Sequence, residues 1–221
     1  MSSLLGVLSP ATAWKALKRE WLLYHLGDPR FRFMWEAAPT DEWVSLDCET
    51  TGLNVQRDEI IAIGAVRIQG QRILTSERLE LIVKPEKRRL TADSVKVHRL
   101  RERDVADGLP VEEAMHQLMR FIGSRPLVGY FLEFDVAMIN RVLFPMLGMG
   151  LPQPRFEVSS MYYDHKFRSQ PAHEKGAQID LRFATLMKDL GLPERDAHDA
   201  LNDAVMAALA FIKLRNLQKL G

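Results

Sequence analysis

Asp47 and Glu49 stand two positions apart at the end of the segment Trp43 to Glu49, whose composition reads as a β-strand. Successive side chains of a strand alternate faces, so Ser45, Asp47 and Glu49 point one way and Val44, Leu46 and Cys48 the other. Two carboxylates sharing one face repel each other and are costly to desolvate unless a cation lies between them. A single acid at a strand end is usually solvated, whereas this pair is a candidate cation site. The following Thr50-Thr51-Gly52 ends the strand, and Gly52 lets backbone or ligand come close.

Two further acids and a histidine extend the set. Asp135 follows the strand-like segment Pro126 to Tyr130 and precedes the helical pattern Val136, Ile139, Val142 and Leu143. Taken alone it reads as a helix N-cap, yet a residue just beyond a strand end in an α/β sheet also stands where active-site groups collect, so it can serve both purposes. Asp203 lies among Ala200, Ala204 and Ala207 at helical spacing, a face of small residues able to press against a sheet. An acid placed there needs a counter-charge. On a continuous helix His198 and Asp203 would stand about 140° apart, which places His198 on the loop ahead of the helix with Asp199 as cap, where a histidine suits proton acceptance.

Positioning these groups requires a mixed α/β architecture. Strand patterns over Trp43 to Glu49, Ile60 to Ile68 and Arg72 to Lys84, the last two joined by Gln69-Gly70-Gln71, predict an antiparallel meander. Helical and strand patterns then alternate: helix Val111 to Ile122, strand Pro126 to Tyr130, helix Asp135 to Leu147 and a short strand around Phe156 to Val158. Helices near Ser160 to Phe167, Ile179 to Leu190 and Asp199 to Leu217 follow. Ahead of the meander, Trp14, Leu17, Trp21 and Leu22 recur at helical spacing, Gly27-Asp28-Pro29 stops that helix, and an aromatic stretch runs to Pro39-Thr40-Asp41. The expected organisation is an N-terminal amphipathic extension, 1–40, which packs on the main domain or docks a partner, followed by a domain over 41–221.

The 221 residues suit one principal domain, and 47% hydrophobic with 27% charged residues excludes disordered and fibrous classes. Thirty basic against 29 acidic residues give +1, so a nucleic-acid partner would be held by a local basic surface. The segment Lys84 to Arg103 offers one, with eight Lys or Arg and three acids. A single cysteine excludes an intramolecular disulfide and a cysteine-based zinc site, turns any metal toward oxygen and His ligands, and fits the cytoplasm. Ala11-Thr12-Ala13 lacks the basic and apolar regions of a leader, and the uncharged run Val142 to Pro154 is broken by prolines and a glycine, so no membrane span is expected.

Asp47-Cys48-Glu49-Thr50-Thr51-Gly52-Leu53, Val128-Gly129-Tyr130-Phe131 with Phe134-Asp135, and His198 five positions before Asp203 together resemble, in order, the three motifs of the DEDDh 3′–5′ exonucleases. That family includes the epsilon subunit of bacterial DNA polymerase III and the exonuclease domain of PolC-type polymerases, and the resemblance runs from about Trp43 to Leu217. It implies a ribonuclease-H-like fold: a mixed sheet, with a three-stranded antiparallel meander plus parallel strands, flanked by helices. It also implies two Mg²⁺ or Mn²⁺ ions about 3.5 to 4 Å apart, held by Asp47, Glu49, Asp135 and Asp203, with His198 as general base. Thr50, Thr51, Leu53 and Phe134 would contact substrate.

The implied activity is release of 5′-mononucleotides from the 3′ end of single-stranded or frayed DNA. The alternatives are a ribonuclease of the RNase T or oligoribonuclease type, which uses the same five residues, and a non-catalytic module bound to a polymerase through residues 1–40. Val97-His98 resembles the family's His-Gly-Ile segment with Arg99 in place of glycine. Two departures stand out: Tyr130 and Phe131 occupy positions that commonly read His-Asn, and Val158-Ser159-Ser160-Met161 lacks the Asp of the usual Val-x-Asp-Thr.

Overall fold

A computed structural model describes residues 10–87, 100–171, 178–193 and 199–220. Its centre is a five-stranded sheet of order β3-β2-β1-β4-β5, built from β1 Glu42–Thr50, β2 Ile60–Gln69, β3 Arg72–Ile82, β4 Leu127–Gly129 and β5 Arg155–Glu157. β1, β2 and β3 form the antiparallel meander, while β4 joins β1, and β5 joins β4, in parallel. Gly70, at φ +60°, makes the two-residue β2–β3 turn, and its N–H donates to Asp41 O.

The helices are α1 Pro10–Tyr24, α2 Glu102–Ala106, α3 Val111–Ile122, α4 Leu132–Leu147, α5 Val158–Ser169, α6 Phe183–Asp189 and α7 Ala200–Leu220, with a 3-10 helix at Pro29–Trp35. Alternation along β1 gives the sheet two apolar faces. Val44, Leu46 and Cys48 join Met115, Leu118, Met119, Ile122, Val136 and Ile139 of α3 and α4 in one core, and Leu26, Phe31 and Met34 are buried in that same core. Trp43, Val66, Ile68 and Val128 meet Tyr162 of α5, Leu186 of α6 and Ala204, Ala207, Ala208 and Phe211 of α7 in the other. The molecule is therefore a three-layer α/β/α arrangement, the mixed sheet flanked by helices that the sequence predicts.

Three local readings are corrected. α4 begins at Leu132, so Asp135 sits within its first turn and is not the N-cap. Val158 opens α5 instead of ending β5, because the Glu157 carboxylate accepts the Ser159 N–H and starts the helix there. α6 begins at Phe183 and not near Ile179, because the Asp180 carboxylate takes the Arg182 N–H (3.0 Å) and the Thr185 hydroxyl (2.8 Å) and holds the preceding residues in a turn. The cap expected of Asp199 is present, its carboxylate accepting the Asn202 N–H at 2.9 Å. α1 buries one side against the first core through Leu22 and Leu23, while Trp14, Leu17, Trp21 and Tyr24 are exposed. Among the described residues no helix is long and apolar enough to cross a membrane.

Candidate active site

β1 delivers Asp47 and Glu49 to the face covered by α7, and α7 returns Asp203 to them. One carboxylate oxygen from each of the three lies within 4.8 Å of the others. Close approach of α7 is made possible by Gly64 of β2, the antiparallel partner of Asp47: a Cβ on Gly64 would run into the backbone of Ala200 and Leu201. The register shift between Glu49 and Thr50 ends regular pairing next to these acids, as bulges beside sites commonly do.

Asp135 enters from the opposite layer. It is buried, and its carboxylate accepts the Cys48 N–H at 3.2 Å, tying the start of α4 to the strand between the other two acids. Burial, then the Asp135, Asp203, Glu49 and Asp199 carboxylates, push Asp47 well above the usual carboxylate range. Glu49 is pushed up to about 7 by burial and by Asp203 and Asp199. Burial also raises Asp135, although the Cys48 N–H works in the opposite direction.

This donor set fits a hard dication. Every converging atom is a carboxylate oxygen, and a cation placed among them removes the repulsion that otherwise lifts their pKa values. The Cys48 thiol belongs to the other face, buried in the α3/α4 core, and offers no soft ligand to this cluster.

The neighbouring loop, residues 51–59, is held from inside. The Thr51 hydroxyl donates to Asp58 Oδ1 (3.3 Å) and accepts the Glu59 N–H (3.0 Å). The Asp58 carboxylate also takes the Asn54 N–H at 2.8 Å, and the Arg141 guanidinium of α4 binds the Val55 and Asp58 carbonyls. Thr50 donates to Gly52 O at 2.7 Å. Leu53 at the tip is 86% exposed, and with Phe131, Glu133, Phe134, Glu157, Ser159 and Ser160 it lines a cleft of about 700 Å³.

His198 and His98 lie outside the described residues, as does 88–99 of the basic segment. Glu157 is a site residue that the motifs do not reveal. Its carboxylate accepts the Phe131 N–H (2.9 Å), the Leu132 N–H (2.7 Å) and the Ser159 N–H and hydroxyl (3.0 and 2.7 Å). It therefore does for the start of α4 what Asp135 was expected to do. Its signal in sequence is an acid at the carboxyl end of a parallel strand beside β4.

Two curated relatives and two solved structures illustrate the kinship. A DNA polymerase III PolC-type protein of Thermotoga maritima is 27% identical over 178 residues, 80% of this chain and 12% of that protein. A DNA polymerase III subunit epsilon of Aquifex aeolicus is 26% identical over 173 residues, 78% of this chain and 79% of that protein. The chain thus spans about an eighth of the length of the PolC-type relative but most of the epsilon relative. Escherichia coli exonuclease I in complex with a dA16 oligonucleotide superposes with a TM-score of 0.69 at 16% identity, over 82% of this chain and 42% of that one. Cell-death related nuclease 4 gives 0.66 at 17% identity, over 81% and 65%. These structures share the fold. The RNase T family model, described as an exonuclease, matches residues 44–211, the span containing all but the first two residues of the sheet and all four acids, and the chain belongs to that exonuclease family.

Proposed function

We propose that the protein is a 3′–5′ exonuclease that releases 5′-mononucleotides from single-stranded or frayed DNA ends, using two Mg²⁺ or Mn²⁺ ions. The observation that carries this reading is the convergence of Asp47, Glu49 and Asp203 within 4.8 Å, with Asp135 anchored beside them on the Cys48 N–H. Asp47, Glu49, Asp135 and Asp203 hold the ions. When bound, the ions lower the pKa of an attacking water and offset charge on the reacting phosphate. His198 takes the proton from that water. The cleft lined by Leu53 and Phe134 receives the terminal nucleotide; Thr50 and Thr51 do not line it, and the buried Thr51 hydroxyl supports the loop through Asp58 and Glu59. Within residues 1–40, Leu22, Leu23, Leu26, Phe31 and Met34 pack on the domain, and the outward Trp14, Leu17, Trp21 and Tyr24 form the face that attaches the enzyme to a polymerase or other protein, a role supported by their exposure and by the polymerase names of the relatives.

The test is digestion of a 5′-labelled single-stranded DNA and its RNA counterpart with Mg²⁺ or Mn²⁺. Stepwise shortening from the 3′ end, faster on DNA, with release of 5′-mononucleotides, is expected. Asp47→Ala and Asp203→Ala should abolish it while leaving the metal-free fold as stable or more so, because each removes one of several repelling acids. Wild-type cleavage by purified Asp47→Ala overturns the metal assignment.

A further inference from the structure

Tyr130 and Phe131 follow β4 and have different fates. The Tyr130 ring stacks on Phe183, with centroids 4.3 Å apart and planes 16° apart, and its hydroxyl donates to Leu181 O at 2.7 Å. It is spent on joining the end of β4 to α6. Phe131, by contrast, is 55% exposed, and its backbone is left-handed at φ +54°, ψ +34°, a conformation unfavourable for a bulky residue. The conformation is held from outside: the Glu157 carboxylate grips the N–H groups of Phe131 and Leu132, and the Phe134 N–H donates to Phe131 O at 3.0 Å.

Folding alone does not account for this arrangement. The ring leans on Tyr130, with centroids 4.4 Å and planes 47° apart, yet stays half exposed, so it gains little from burial, and asparagine or glycine would adopt the backbone with less strain. What the clamp achieves is to keep an aromatic face on the wall of the 700 Å³ cleft, with Leu53 and Phe134 also lining it. Aromatic side chains presented beside a backbone-binding site are how proteins hold single-stranded nucleic acids without reading base identity, since every base has a π-face.

We infer that Phe131 is a base-stacking platform for a nucleotide near the 3′ end of a single strand, held in place by Glu157. The inference rests on the exonuclease reading for its substrate class, and it adds a contact that favours any unstacked base, is indifferent to the sugar, and is lost in a paired duplex. Glu157 is a positioning residue, since it acts through the backbone of Phe131 and Leu132.

The experiment compares the full-length wild type, Phe131→Asn and Phe131→Tyr. Binding of a 5′-fluorescein oligothymidylate is followed by anisotropy in EDTA and in Ca²⁺, so that affinity is read without turnover. Phe131→Asn, which removes the ring but suits a left-handed backbone, should weaken binding by about 5- to 150-fold, the range expected for one stacked base. Its melting temperature should be unchanged or raised, and Phe131→Tyr should bind like the wild type. In oligonucleotides with one abasic residue at each of the last three positions, one position should cost the wild type as much as the mutation does, and cost Phe131→Asn little more.

Equal affinity of Phe131→Asn and wild type overturns the inference. So does a loss that is the same for intact and abasic strands at all three positions, a fall in melting temperature with equally weak binding by Phe131→Tyr, or failure of the wild type to bind at all. Base-dependent binding by a wild type that hydrolyses nothing in Mg²⁺ or Mn²⁺ leaves the platform standing and sinks the exonuclease reading instead.

Discussion

At the scale of single residues, the proposed reaction divides labour between groups that hold charge and one that moves a proton. Asp47, Glu49 and Asp203 repel one another in the metal-free fold: burial and neighbouring carboxylates raise both Asp47 and Glu49, the pattern that a ligand-binding cluster of acids produces. His198 has a different task in the proposed reaction. If it accepts the proton from water, His198→Ala should lower the maximal rate by about 10²- to 10⁴-fold and leave Mn²⁺ affinity nearly unchanged. The rise of rate with pH near neutrality should flatten as well, because only the neutral imidazole accepts a proton. Rates measured against Mn²⁺ at several pH values separate the roles: rescue of the variant by saturating Mn²⁺ would make His198 a ligand.

At the scale of elements, the site depends on how closely α7 lies on the sheet. Gly64 faces the backbone of Ala200 and Leu201, which cannot swing aside as a side chain can. Gly64→Ala should therefore lift the start of α7 and draw Asp203 away from Asp47 and Glu49, at a cost of about 1–3 kcal/mol. The expected outcome is a lower melting temperature with a larger proportional loss of Mn²⁺ affinity, followed by calorimetry. Loss of stability with intact metal affinity would show that α7 can move without carrying Asp203. Much of this was legible in sequence. Alternation put Asp47 and Glu49 on one face, the alanines around Asp203 announced a tight helix–sheet contact, and the meander followed from strand patterns closed by a glycine turn. What escaped depends on partners distant in sequence. Asp135 has the residue type of a cap, but its carboxylate binds an N–H 87 positions away. The left-handed Phe131 is fixed by Glu157, 26 positions on, and no local rule predicts it. The charge-rich Glu102–Ala106 turn of helix resembles a loop in composition.

For the molecule as a whole, the acid cluster ties folding to pH and, on the proposed function, to metal. In the metal-free protein Glu49 titrates near 7 against an ordinary 4.5, and Asp47 and Asp135 shift the same way. A carboxyl group raised on folding keeps the native state better protonated than the unfolded chain. Its contribution is therefore fully present below about pH 4.5 and is lost as pH rises through about 7. The oppositely shifted Asp28, held down to about 2 by Arg30, acts at lower pH and does not mask this window. Metal held by the proposed ligands would reverse the trend, because the ligands must be ionised to bind and binding favours only the folded chain. In EDTA the melting temperature should fall from pH 5 to pH 7, and millimolar Mn²⁺ should restore it with a gain larger at pH 8 than at pH 5. Asp203→Ala should flatten both effects, since it removes a repelling neighbour of Asp47 and Glu49 together with a proposed ligand. Thermal melts of the two proteins across that pH range, with and without Mn²⁺, test the linkage directly. A wild type whose metal-free stability rises toward pH 7 and gains nothing from Mn²⁺ would show that these carboxylates do not form an ion site.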